Sequence, residues 1–133
     1  MTGAIALWVT LGSALGGVAR YWFSGLVARL WGETFPWGTL IVNVSGSFLI
    51  GLIATLSGPD GRWIIPAEAR QFMMVGILGG YTTFSSFSLQ TLTMVQNGHL
   101  AKAALNVGGS VVLCLIAVAA GYILGAMIGG TRS

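Results

Sequence analysis

Between Gly79 and Ser88 the chain reads Gly-Gly-Tyr-Thr-Thr-Phe-Ser-Ser-Phe-Ser, a cluster of glycines, hydroxyls and phenylalanines inside an otherwise apolar segment. In hydrocarbon every unpaired backbone N–H or C=O costs several kcal/mol, so a helix interrupted here must face protein, water or an ion. Glycine is a poor helix residue, and two lie together, so the segment is expected to form two half-helices. The chemistry on offer is ion or water binding through main-chain groups and hydroxyls. Thr39, Asn43 and Ser47 recur every four residues and therefore share one helical face. The Asn43 amide, with two donors and an acceptor, must find partners at membrane depth. A hydrogen bond between helices is the commoner use of a lone asparagine, but alignment with Thr39 and Ser47 suggests a polar track. Asn106, Ser110 and Cys114 repeat the spacing further on, although serine and cysteine in such helices also bond their own backbone or simply pack.

These groups are neutral donors rather than acids. The carboxylates, Glu33, Asp60 and Glu68, all fall in loops, whereas a proton-coupled or cation-selective site usually places an Asp or Glu within the membrane. With Arg20 either snorkelling to an interface or facing a polar cavity, the inventory favours a small anion. Phe84 and Phe87, three apart on one helical face, extend that logic, because the edge of an aromatic ring is electropositive. Ordinary core packing remains the commoner reason for such a pair.

The elements that must position these residues follow from composition. Of 133 residues, 55% are hydrophobic and 7% charged, against about 25% charged in an ordinary soluble domain, and the mean hydropathy is +0.86. This is an all-α integral membrane protein of one domain. A span takes about 20 mostly apolar residues, and four fit, at about 5–27, 37–57, 72–95 and 100–128. The start lacks the basic region of a signal peptide and is kept as the first span. Gly12 and Gly16 in the first span, and Gly121, Gly125 and Gly129 in the fourth, have the small-residue spacing that lets helix backbones approach closely in lipid. Pro36 and Pro66 are placed to begin the second and third helices.

Charge and cysteine content exclude several functions. A net charge of +3 without a basic run leaves no nucleic-acid footprint. Cys114 is the single cysteine and cannot make an intramolecular disulfide. With both termini on one side, Arg62, Arg70 and Arg132 flank that side, while Arg29 and Lys102 flank the other, joined by Arg20 if it snorkels. Such balance gives the positive-inside rule no preference and suits a chain that inserts both ways as an antiparallel homodimer. Nothing supports an enzyme: acids for general acid–base work are not gathered, His99 stands alone, and no metal-ligand or phosphate-loop spacing occurs.

The run Gly79 to Phe87, the upstream Gly38-Thr39-Leu40-Ile41-Val42-Asn43 to Gly46, and the Gly-Gly-Val-Ala-Arg20 end of the first span together closely resemble the fluoride channel family known as Fluc or CrcB, over essentially the whole chain. The resemblance implies a passive fluoride exporter of the bacterial inner membrane, built as a dual-topology antiparallel homodimer with two parallel pores. It further implies that the broken third span meets its mate at the dimer centre, where the carbonyls of Gly79 and Thr82 hold a structural sodium ion. Phe84 and Phe87 match the pore aromatics and Asn43 the pore amide, with Ser85 and Ser88 as nearby hydroxyls and Arg20 near a vestibule. Thr39 and Ser110 join this pore set from the second and fourth spans. The chain departs from the family at Gln90, where many members carry glutamate, and at Cys114 and Val118, which interrupt a hydroxyl track in the fourth span. Two rival readings are a small dual-topology multidrug or cation transporter, which should carry an embedded acid, and a non-transporting assembly subunit packed through its glycines.

Overall fold

The computed structural model describes residues 2–129, which form helices joined by short connections; Arg132, counted above among the flanking bases, lies outside them. Helix α1 (Gly3–Trp31) is capped by Thr2, whose Oγ1 accepts from the Ile5 N–H at 3.2 Å and so satisfies a donor the helix leaves free. It ends at Gly32, which takes φ 83° while donating to the Ala28 carbonyl, a left-handed turn that glycine adopts without side-chain strain. Helix α2 (Trp37–Leu56) follows Pro36.

The third span begins after Pro66 as α3 (Ala67–Gln71), widens into a π-helical stretch (Phe72–Leu78) and closes with α4 (Gly79–Tyr81). Thr82 (φ −80°, ψ 156°) and Thr83 (φ −149°, ψ 119°) are extended. Helix α5 (Phe84–Gln96) then resumes, and after a turn through Gly98 comes α6 (Leu100–Gly129). Gly3–Trp31, Trp37–Leu56, Ala67–Gln96 and Leu100–Gly129 are each long and apolar enough to cross a bilayer. Large apolar side chains such as Leu15, Val18, Leu105 and Leu115 are exposed on the outside, where lipid rather than water suits them.

Close backbone approach at glycines joins several of the helices. A Cβ on Gly12 would stand 2.6 Å from the Phe72 carbonyl oxygen, and one on Gly16 would strike the carbonyl of Ile77. On the opposite side of the bundle a Cβ on Gly121 would strike the carbonyl of Phe48, and one on Gly51 that of Val118. Gly125 is similarly tight against Leu52, while Gly129 has nothing nearer than 3.8 Å. Thus α1 lies against the first half of the third span and α2 against α6, and these close crossings substitute for the hydrophobic drive that lipid removes.

The glycine pair before the extended residues has a different role from helix breaking. Gly79 and Gly80 keep helical dihedrals, and the chain leaves the helix only at Thr82. Gly80 is needed where α1 crosses, since its Cβ would lie 2.6 Å from the Ser13 carbonyl oxygen.

Candidate functional site

Two extended residues between helices leave backbone groups without helical partners, and side chains from other helices take up several of them. Oδ1 of Asn43 accepts from the Thr83 N–H at 2.8 Å, and its Nδ2 donates to the Thr83 carbonyl at 2.9 Å. Arg20, half-buried on α1, donates through Nε to the Gly80 carbonyl at 3.2 Å. Oγ1 of Thr83 caps α5 by accepting from the Ser86 N–H at 3.2 Å. The N–H groups of Thr83 and Ser86 would close on the carbonyls of Gly79 and Thr82 in an unbroken helix. Both are engaged elsewhere, so these two carbonyl oxygens lack their helical donors. Gly79 is exposed and Thr82 half-buried.

Beside these residues lies a cleft of about 410 Å³, lined by Asn43 and Ser47 from α2, Gly79, Thr82, Phe84 and Phe87 from the third span, and Ser110 and Cys114 from α6. The Phe84 and Phe87 rings are 5.3 Å apart at 51°. Phe87 is buried, whereas Phe84 is 77% exposed. Gly46 lets the extended segment seat against α2, because a Cβ there would strike Thr82 Cγ2. Next to it Ser45 Oγ and the Tyr81 hydroxyl are hydrogen-bonded at 2.9 Å.

The polar face of α2 is divided between two clefts. Thr39 is buried and lines a second cleft of about 720 Å³ toward the α1–α2 connection, with Glu33, Gln90, Asn97, His99 and Lys102. In that cleft Gln90 Oε1 is buried without a protein partner. Ser85 and Ser88 line neither cleft: Ser85 lies 3.4 Å from the Thr83 hydroxyl, and Ser88 donates to the Phe84 carbonyl at 2.9 Å. Ser110 is buried against Asn106, itself 2% exposed, and Asn106 Nδ2 donates to Thr91 Oγ1 at 2.9 Å. Helical periodicity puts Asn106 on a polar face without indicating Thr91 as its partner or Tyr81 as that of Ser45. The residues of these bonds are 15 and 36 positions apart, and no local pattern links them.

Four bilayer-length helices, with a cleft between the second, third and fourth spans that mixes amide, hydroxyl and apolar groups and has uncoiled backbone at its wall, define a small multi-pass membrane protein. The chain belongs to the family described as CrcB-like protein, Camphor Resistance (CrcB), whose model matches residues 7–122. A relative from Rhodospirillum rubrum named fluoride-specific ion channel FluC is 61% identical over 88% of this chain and 91% of its own length. Relatives of the same name from Opitutus terrae and Methylocella silvestris are 58% and 52% identical, covering 90% and 92% of this chain and 91% and 93% of theirs.

Proposed function

We propose that this protein is a fluoride-selective channel of the bacterial inner membrane, passing fluoride down its gradient and out of the cell. The observation that carries the proposal is the first cleft: neutral donors and aromatic rings line it, and no carboxylate does. Its chemistry agrees with the name shared by relatives that span nearly the whole chain. Fluoride is small and strongly hydrated, so a pore must replace several waters at once with closely spaced donors, and a larger halide does not settle into the same spacing. Asn43 supplies an amide, Ser110 a hydroxyl, and Phe84 and Phe87 ring edges. A cation carrier would need an acid among these residues.

The working unit is an antiparallel, dual-topology homodimer with two pores, in which the interrupted third spans meet. The exposure of Gly79 and of the Phe84 ring supports a second copy at this surface, since an extended segment with free carbonyls is costly against lipid. Sodium fits the same place. Of the carbonyls around the interruption, those of Gly80 and Thr83 accept from Arg20 and Asn43, while those of Gly79, Tyr81 and Thr82 lack a donor among the described residues. The family resemblance selects Gly79 and Thr82 among them for a hard cation that prefers oxygen. Bound there, sodium would supply positive potential beside the anion path.

Purified protein reconstituted into liposomes and assayed separately for fluoride, chloride and proton-coupled cation release tests the proposal. Release of fluoride without the others is the expected result, and retention of fluoride overturns it.

A further inference from the structure

Behind the first cleft a chain of hydrogen bonds runs in one direction. Ser110 Oγ donates to Asn106 Oδ1 at 3.4 Å, Asn106 Nδ2 donates to Thr91 Oγ1 at 2.9 Å, and Thr91 Oγ1 donates to the Phe87 carbonyl at 2.8 Å. Ser110 lines the cleft, whereas Asn106 and Thr91 do not. Asn106 is 2% exposed, and a buried amide left without partners is costly. We propose that Asn106 is a positioning residue that determines whether Ser110 presents a hydrogen or a lone pair to an anion in the cleft.

A serine hydroxyl has one hydrogen, and in the arrangement above that hydrogen is directed at Asn106, so only lone pairs are left for the cleft. The bond is long and therefore easily given up. A half-turn of the Asn106 amide exchanges its oxygen and nitrogen. Nδ2 then donates to Ser110, Oδ1 accepts from the Thr91 hydroxyl, and the Ser110 hydrogen is free to point at the anion. Each arrangement keeps one hydrogen bond between Ser110 and Asn106 and one between Asn106 and Thr91, while the Phe87 carbonyl loses its extra hydrogen bond in the second. An anion in the cleft favours the second arrangement because it bonds to Ser110 only there. Thr91 and Asn106 thereby join the wall of the cleft, through Ser110, to the backbone of the residue carrying the buried aromatic ring.

This inference rests on the fluoride-channel reading, and a double-mutant cycle separates the two. Fluoride release is measured from liposomes for the unaltered protein, Asn106→Leu, Ser110→Ala and the double variant, with elution volume in detergent as the check on assembly. Asn106→Leu removes the Nδ2 hydrogen that in the second arrangement occupies a Ser110 lone pair and turns the hydroxyl hydrogen to the cleft. The hydroxyl is then left to bond the helix carbonyl four residues earlier, so release should slow on the order of tenfold, the worth of one hydrogen bond to a charged group, with no further effect once Ser110 is alanine. Thr91→Val, close to threonine in shape, enters the same cycle and replaces Asn106→Leu if that variant does not assemble. Equal slowing in both backgrounds means a merely structural brace and overturns the inference while the channel reading stands. An unaltered protein that releases no fluoride overturns the channel reading and the inference with it.

Discussion

The side-chain amide of Asn43 holds both main-chain groups of Thr83, accepting from its N–H at 2.8 Å and donating to its carbonyl at 2.9 Å. One polar side chain on α2 thus substitutes for the helical bonds that the third span gives up. The same amide lines the cleft, so one residue both supports the third span and faces the proposed fluoride path.

Asn43→Asp keeps the acceptor for the Thr83 N–H but sets a carboxylate oxygen against the Thr83 carbonyl. Losing that hydrogen bond costs about 1–3 kcal/mol, and a negative charge enters the proposed anion path. Fluoride release from liposomes should be abolished, with a lowered thermal midpoint in detergent and an unchanged elution volume. Normal release from this variant would remove Asn43 from the pore.

Phe84→Ile keeps an apolar side chain but removes the ring edge beside the cleft. Phe84 is 77% exposed in the single chain, so the substitution opens no cavity in the protomer core and should leave assembly intact while abolishing fluoride release. A variant as active as the unaltered protein would mean that the ring serves packing alone.

Gly16 and Gly17 are neighbours with opposite surroundings: a Cβ on Gly16 meets the Ile77 carbonyl, and one on Gly17 meets nothing within 4 Å. Gly16→Ala should cost about 1–3 kcal/mol by overpacking. Gly17→Ala should lie within about 0.5 kcal/mol of the unaltered protein. Denaturant titration in mixed micelles measures both, and equal losses would refute the close crossing of α1 and the third span.

Arg20→Leu removes the hydrogen bond to Gly80, worth about 1.5–3 kcal/mol for a charged donor, and deletes a positive charge near the cleft. Fluoride release should fall. Its dependence on ionic strength should weaken as well, because salt screens the charge in the unaltered protein. Arg20→Lys should restore the salt dependence but not the full rate, since a compact ammonium does not reproduce the guanidinium's donor geometry. A release rate unchanged in Arg20→Leu would assign the residue to anchoring alone.

Replacing sodium with N-methyl-D-glucamine throughout purification and assay removes the cation proposed for the Gly79 and Thr82 carbonyls. Release should slow, and the thermal midpoint should fall with the logarithm of the sodium concentration, as for any ligand that binds only the folded state. Indifference of both measurements to sodium would exclude the site.

Much of the architecture was readable in one dimension because lipid imposes simple rules. A span must be apolar and long, its backbone must be satisfied, and its close crossings need small residues. From these the hydropathy pattern alone determines four helices, and the glycine spacing of Gly12, Gly16, Gly121 and Gly125 marks faces that do meet other backbones. The polar run from Gly79 to Ser88 likewise marks where helical bonding is relinquished, because so many hydroxyls have no other reason to lie at that depth.

Only the tertiary structure decided which polar groups meet. Gly80 is small for the sake of Ser13, and Thr39 belongs to a different cleft from Asn43 one turn away. Arg20 reaches a carbonyl 60 positions along the chain, and Asn43 clamps a residue 40 positions along. The physical reason is that periodicity assigns a residue to a face of its own helix, whereas a hydrogen bond depends on where another helix sets its partner to within a few tenths of an ångström.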